Sequence, residues 1–239
     1  MSKRKYYAVA VGRKPGLYDD WFGPDGAEAQ IKAFPKAVYK SFQSHSEAQA
    51  WYRAQTGHEA APLASATTKL DEDYFRLHKQ ALAEGKVVIY TDGGCEGNPG
   101  KGGFGVVLLY KDRRKELSGG YARTTSNRME LLACITGLKS LSKPSSVVIF
   151  SDSAYVVNAL TKGWAYNWQQ HGWRRKQEGE YLPLRNADLW QELVALCGQH
   201  QVSFIKVRGH AGSIENDRCH TLAAAVLEQQ ELPVDPGFG

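Results

Sequence analysis

Two short apolar runs, Val87-Val88-Ile89-Tyr90 and Val147-Val148-Ile149-Phe150, show no alternation with polar residues. Runs of that length, rich in β-branched and aromatic residues, predict strands buried on both faces. Each run ends in one carboxylate, Asp92 after Thr91 and Asp152 after Ser151. Phe104 to Tyr110 and Leu117 to Arg123 predict the partners of a hairpin. A helix is expected to begin near Asn127, with Leu131, Ile135 and Leu138 on one stripe. A strand, two helices, a strand over Val202 to Val207 and a last helix complete the order. That succession predicts an α/β fold, its first strands antiparallel and its helices on the sheet faces.

The first 56 residues follow a different pattern. Tyr6 to Gly12 and Val38 to Phe42 read as strands, Ala27 to Ala33 as a helix, and Ser46 to Gln55 as a helix with Ser46 as its N-cap. Gly57 to Thr68 is rich in Ala, Pro, Ser and Thr, which reads as a linker, and Leu70 to Ala83 as a helix. The expected division is a small α+β module over 1–56, a linker and connecting helix over 57–85, and the main domain over 86–239.

Charge and composition narrow the possible partners. Residues 1–57 carry nine basic and five acidic groups, 58–85 three and five, and 86–239 eighteen and fifteen. Two basic ends around an acidic connector suit a polyanion touched at two places. No apolar run is long enough for a membrane span, and Met1 to Tyr6 lacks the apolar stretch of a signal peptide. Four widely spaced cysteines suit reduced thiols, so a cytoplasmic monomer without membrane attachment is the expectation. Cys197-x-x-His200 with Cys219 and His220 does not make a zinc site, because adjacent ligands chelate poorly and the second spaced pair is missing.

Asp92 before two glycines reads either as a turn or as a ligand site. Asp152 repeats the arrangement, and two carboxylates brought together in one sheet require a proton or a cation between them. Mg²⁺ takes such oxygens and keeps waters for a phosphate. Glu130 is open to two readings, a capping box with Asn127 or a third carboxylate. Trp164, Trp168 and Trp173 can pack inward on a helix, but Trp173-Arg174-Arg175-Lys176 reads better as an exposed ridge facing phosphates. His210, between glycines beyond the strand at 202–207, is a candidate proton shuttle or phosphate contact. Aromatics interleaved with cations in the first module, Trp21, Tyr39 and Lys40 among them, suit nucleic acid as well as a core.

Taken together, Thr91-Asp92-Gly93-Gly94-Cys95-Glu96-Gly97-Asn98-Pro99-Gly100, Thr124-Thr125-Ser126-Asn127-Arg128-Met129-Glu130-Leu131, Ser151-Asp152-Ser153 and Gly209-His210-Ala211-Gly212 with Glu215-Asn216 resemble type 1 ribonuclease H. The similarity runs in order from about Lys86 to Leu227. Residues 5–56, through Tyr6-Tyr7-Ala8-Val9, Pro15-Gly16-Leu17-Tyr18, Trp21 and Tyr39-Lys40-Ser41-Phe42, resemble the hybrid-binding domain that often precedes it. The resemblance implies a ribonuclease H-like mixed five-stranded sheet flanked by helices. It also implies hydrolysis of the RNA strand of RNA–DNA hybrids, leaving 5′-phosphate and 3′-hydroxyl ends. Asp92, Glu130 and Asp152 would hold two Mg²⁺ ions, with His210 assisting proton transfer or product release. Asn98, Ser126 and Asn127 would contact RNA, and Thr125, Arg185 and Asn186 would grip a DNA phosphate. The segment around Trp164 to Lys176 would be the substrate-binding protrusion, and Trp21, Tyr39 and Lys40 would touch hybrid from the first module.

The chain departs from the family pattern at three positions. His220 stands where a fourth acidic ligand is expected, Ser126 where Asn is usual, and Ala154 where Gln is frequent. An imidazole suits later transition metals better than Mg²⁺, so His220 as ligand shifts the expected preference toward Mn²⁺. Water in that place, or Asp217 one turn earlier, are the other options. The rival function is a hybrid-binding protein with weakened catalysis. A phosphate-loop reading of Gly94 to Gly103 fails, since Cys95 and Gly102 break the required pattern.

Overall fold

The computed structural model describes residues 5–18, 21, 26–58, 69–207 and 214–238. The chain divides into two compact units, Met1–Leu70 and Asp71–Gly239.

In the first unit, β1 (Tyr6–Val11), β2 (Gly16–Tyr18), α1 (Ala27–Ile31), β3 (Val38–Phe42) and α2 (His45–Thr56) follow in order. The strands form an antiparallel sheet ordered β2-β1-β3. Alternation along β1 and β2 sends Ala8 and Leu17 toward Ala48 and Tyr52 of α2, a core rimmed by Tyr6, Phe42 and Trp51. The N-cap of α2 is Ser44, whose hydroxyl accepts the Glu47 N–H at 3.2 Å. The expectation of Ser46 as cap is corrected: Ser44 has the extended backbone a cap needs, and Ser46 is already helical.

The second unit contains α3 (Lys69–Ala83), β4 (Val87–Gly97), β5 (Gly100–Tyr110), β6 (Arg113–Thr124), α4 (Ser126–Lys139), β7 (Ser146–Ser151), α5 (Ala154–Thr161), α6 (Trp164–Gln170), β8 (Arg174–Gln177), β9 (Glu180–Pro183), α7 (Ala187–Gln199), β10 (Gln201–Lys206) and α8 (Ile214–Leu227). α3 begins two residues before the unit boundary. Five strands form one mixed sheet, β10-β7-β4-β5-β6, with β4, β5 and β6 antiparallel and β4, β7 and β10 parallel. The unbroken apolar runs are explained by burial on two sides. Ile89, Val106 and Ile149 pack with Leu131, Ile135 and Leu138 of α4 and Trp190 and Leu193 of α7. Val88, Tyr90, Val107, Val148 and Phe150 face the other way, under α3 and α8. Each such side chain contributes about 1.5–3 kcal/mol on burial.

The sequence pattern missed the short ribbon β8–β9, whereas the helix considered for Trp164 and Trp168 is α6, which ends at Gln170 before Trp173. β8 is polar throughout and the apolar Tyr181 and Leu182 of β9 are adjacent rather than alternating, so neither four-residue strand shows an apolar period to read. Among the described residues no helix is long and apolar enough to cross a membrane. After α8 the chain returns along β6, where Ala122 N–H donates to the Pro233 carbonyl at 2.9 Å.

Candidate metal centre

The parallel register between β4 and β7 ends at Thr91 and Ser151, so Asp92 and Asp152 are the first residues beyond it. β4 itself does not stop there. Asp92 pairs with Gly105 and the strand continues beside β5 to Gly97, which corrects the reading of Asp92 as a strand-end turn. Asp152 leads instead into α5, whose N-cap Ser153 accepts the Val156 N–H at 3.4 Å.

Glu130 comes from α4, and its arrival depends on Gly93. A Cβ at Gly93 would sit 2.5 Å from the Glu130 backbone nitrogen, so only glycine lets β4 and α4 approach this closely. The capping-box reading is overturned. α4 begins after N-cap Thr125, which makes Asn127 helical and Glu130 its fifth residue, too far along to cap the first turn.

One oxygen from each of Asp92, Glu130 and Asp152 lies within 4.8 Å of the others. Two like charges about 5 Å apart repel by about 3 kcal/mol at an effective dielectric of 20. Burial, followed by the charges of Asp92 and Asp152, pushes the Glu130 carboxyl well above its ordinary range. Glu130 Oε2 is buried with no hydrogen-bond partner among the described residues. A fold does not leave a carboxylate oxygen dry and unpaired for stability's sake. A hard divalent cation among the three removes both penalties, so the donor set fits one.

His220 borders this group without joining it. α8 reaches β5 through Gly105, where a Cβ would overlap the Cys219 carbonyl, and His220 Nδ1 then lies 3.0 Å from Asp92 Oδ2. The hydrogen bond to Asp92 holds the imidazole above its ordinary value, against partial burial. His220 is 54% exposed. Asp217, one turn earlier, is also exposed and outside the three-carboxylate group. His210 lies outside the described residues.

The remaining sequence-derived residues fall in several places. Asn98 and Ser126 come together beside the site: Asn98 Oδ1 accepts the Ser126 N–H at 3.4 Å, and Cys95 Sγ lies 3.2 Å from Ser126 Oγ. Asn127 is exposed and Thr125 half-buried. Arg185 is exposed, whereas Asn186 caps α7 and donates to the Tyr155 hydroxyl at 3.3 Å. Trp168 and Trp173 pack against the core, as the inward-packed reading has it, which corrects the exposed-ridge reading for Trp173; Trp168 meets Trp190 edge-on at 5.4 Å. Trp164 stays exposed beside Lys162, and Arg174, Arg175 and Lys176 line exposed β8. In the first unit Trp21 lies between Tyr7 and Tyr39, with tilted ring contacts at 5.1 and 5.6 Å. Lys40 lies on the opposite pleat, its Nζ 5.5 Å from the Phe42 ring, because adjacent strand residues face opposite sides.

Sequence reasoning missed Arg128, two residues before Glu130. It is 2% exposed and bidentate to two carboxylates: Nη1 and Nη2 donate to Asp188 at 3.0 and 2.7 Å, Nε and Nη2 to Asp235 at 2.7 and 2.8 Å. Thr124 Oγ1 donates to the same Asp235 at 2.6 Å. A cation on the apolar side of a helix was the available signal. The tail around Asp235 offered none.

Comparison with known proteins bears on this geometry. Residues 84–228 match the RNase H family, and residues 5–52 match the Ribonuclease H1 N-terminal domain. Ribonuclease H of Syntrophus aciditrophicus (strain SB) is 52% identical over 153 residues, 64% of this chain and 87% of that one. Ribonuclease HI of Synechocystis sp. is 47% identical over 160 residues, 66% and 98% of the two chains. Among solved structures, LC9-RNase H1, described as a type 1 RNase H with the type 2 active-site motif, is similar with a TM-score of 0.53 and 33% identity. The likeness covers 59% of this chain and 71% of that one. With the family match spanning more than half of its residues and the carboxylates gathered as described, the chain belongs to the ribonuclease H family.

Proposed function

We propose that this chain is an endonuclease that hydrolyses the RNA strand of RNA–DNA hybrids and leaves 5′-phosphate and 3′-hydroxyl ends. Asp92, Glu130 and Asp152 hold two divalent cations. The observation that carries this reading is the three-carboxylate group with the orphaned, buried Glu130 oxygen. Bound there, the cations supply an activated water and stabilise the leaving oxygen. The chain's own part is placement: the ends of the β4–β7 ladder aim two carboxylates, and Gly93 admits the third.

Recognition of RNA falls to Asn98, Ser126 and Asn127, since the 2′-hydroxyl is what separates RNA from DNA. The contact between Asn98 and Ser126 supports a shared role. Thr125, Arg185 and Asn186 grip a DNA phosphate; the Arg128–Asp188 pair that joins the starts of α4 and α7 supports this placement. Trp164, Arg174, Arg175 and Lys176 meet the backbone, with Trp168 and Trp173 supporting them from the core. His210 assists proton transfer or product release. Residues 1–56 form the hybrid-binding module through Trp21 and Tyr39, with Lys40 reaching from the strand's other side, and 57–85 connect it to the catalytic domain over 86–239. Mg²⁺ serves as cofactor, and His220 beside Asp92 tilts the preference toward Mn²⁺. The protein acts as a cytoplasmic monomer. A binder without turnover is not favoured, because the three carboxylates remain together despite His220.

The test is cleavage of end-labelled RNA–DNA hybrid, duplex RNA and duplex DNA in Mg²⁺ and in Mn²⁺, with Asp92→Asn as control. RNA cut only in the hybrid, and only with Asp92 intact, is the expected result. Tight hybrid binding without cutting in either metal contradicts it.

A further inference from the structure

We propose that α3 is a positioning element of the metal centre, acting through the aromatic residues that stand two positions before Asp92 and Asp152. This rests on the reading of the site as a divalent-cation centre.

α3 belongs to neither family-matched segment, which cover 5–52 and 84–228. From Tyr74 onward it is nonetheless built into the catalytic sheet. Ala81 is buried, and Tyr74, Leu77 and Leu82 pack into the cluster formed by Val88, Tyr90, Val148 and Phe150. Tyr90 and Phe150 are register partners, one pair before the β4–β7 ladder ends. Their rings stack at 5.0 Å with planes 12° apart. Tyr74 meets both edge-on, at 6.2 and 5.3 Å, and the His78 ring lies 5.9 and 6.3 Å from them.

The Tyr90 hydroxyl is held by the helix from two sides. It accepts from the Tyr74 hydroxyl at 2.9 Å and lies 2.7 Å from His78 Nδ1. Burial lowers the His78 pKa, and either neutral tautomer leaves the Tyr90 hydroxyl partnered by Tyr74 and His78 both. A buried hydroxyl without partners carries the full desolvation penalty, so a helix that satisfies one is more than an apolar cover.

Past Thr91 and Ser151 no register ties β4 to β7. With β5 holding Asp92 through Gly105, what ties it to the Asp152 side is the last pairs before the gap. α3 clamps the Tyr90–Phe150 pair from the sheet face. Side chains that orient metal ligands directly are worth about 10–100-fold in metal affinity. α3 acts one layer further out, and about threefold to tenfold is expected from its loss.

The experiment uses the full chain with Tyr74→Leu and His78→Leu combined, and separately with Tyr74→Phe and with His78→Gln. Mg²⁺ binding is titrated by calorimetry without nucleic acid, and kcat and KM are measured on a short hybrid. The double variant is expected to bind Mg²⁺ about threefold to tenfold more weakly and to lose kcat while KM is kept, with Tyr74→Phe in between because its ring edge remains. If the double variant does not fold, the two single variants decide: a loss of Mg²⁺ affinity in either supports the proposal. Mg²⁺ affinity and kcat within twofold of the parent in every folded variant, with only thermal stability lowered, would overturn it and leave α3 as a cover. A parent that neither binds Mg²⁺ nor cuts hybrid would instead overturn the reading of the site itself.

Discussion

Arg128 and Glu130 stand two residues apart on α4, and the fold treats their charges in opposite ways. Arg128 is buried and fully answered by the forks of Asp188 and Asp235, with Thr124 donating to the same Asp235 Oδ2 that accepts from Arg128 Nε. Glu130 faces two carboxylates of its own sign and keeps one oxygen without a partner among the described residues. Both arrangements pay the cost of removing a charge from water. Only the first compensates it within the chain. The contrast separates a charge that holds structure from one that waits for a ligand, and it does so without reference to any relative.

The largest expected effect lies on the unpaired side. Asp152→Asn removes one of three carboxylates, and cleavage of hybrid is expected to fall by roughly a thousandfold while folding is retained. Circular dichroism beside a single-turnover assay checks both halves. On the paired side the order reverses. Arg128→Ala strands Asp235 in the interior and is expected to cost about 3–5 kcal/mol, read by denaturant unfolding. A cost below 1 kcal/mol would mean the triad is ornamental.

The two sides also carry opposite pH signatures. Glu130 is raised above its ordinary 4.5, so its contribution is present below that pH and lost as pH rises through the raised value. Burial opposes ionisation of Asp235, but Arg128 and Thr124 outweigh it and hold the group below its ordinary 3.8. Its contribution is present above that pH and lost as pH falls through the lowered value. Thermal melts without metal should therefore drift down toward high pH, by at most about 1.4 kcal/mol per pH unit, and Mg²⁺ should flatten that limb alone. The smallest effect expected is at His220, which lends Asp92 a partial partner. His220→Asp turns that partner into a fourth acid and should lower the Mn²⁺/Mg²⁺ activity ratio, by roughly threefold. An unchanged ratio would remove His220 from the account of metal choice.

The strand cores and the carboxylates were legible because their signals are local. Val87 to Tyr90 is too short and apolar for a surface element, and a lone aspartate after each run marks a charge at the edge of a core. What stayed hidden depends on neighbours distant in the chain. That Asp92 lies inside a strand is decided by β5, which stays alongside where β7 leaves. The capping box failed because the N-cap of α4 is Thr125, two residues before Asn127, and that cap makes no side-chain bond. The Arg128 triad closes through Asp235, 107 positions away. The split between Tyr39 and Lys40 was within reach, since strand alternation alone separates adjacent residues.

The most direct test of the central claim is the thermal stability of Glu130→Gln beside the parent, with and without Mg²⁺. Glutamine keeps the shape and removes the charge that Asp92 and Asp152 repel. The account predicts a metal-free variant at least as stable as the metal-free parent, and a loss of most of the stabilisation that Mg²⁺ gives the parent. A variant destabilised in metal-free buffer yet still stabilised by Mg²⁺ as the parent is would contradict it, and would return Glu130 to a structural role.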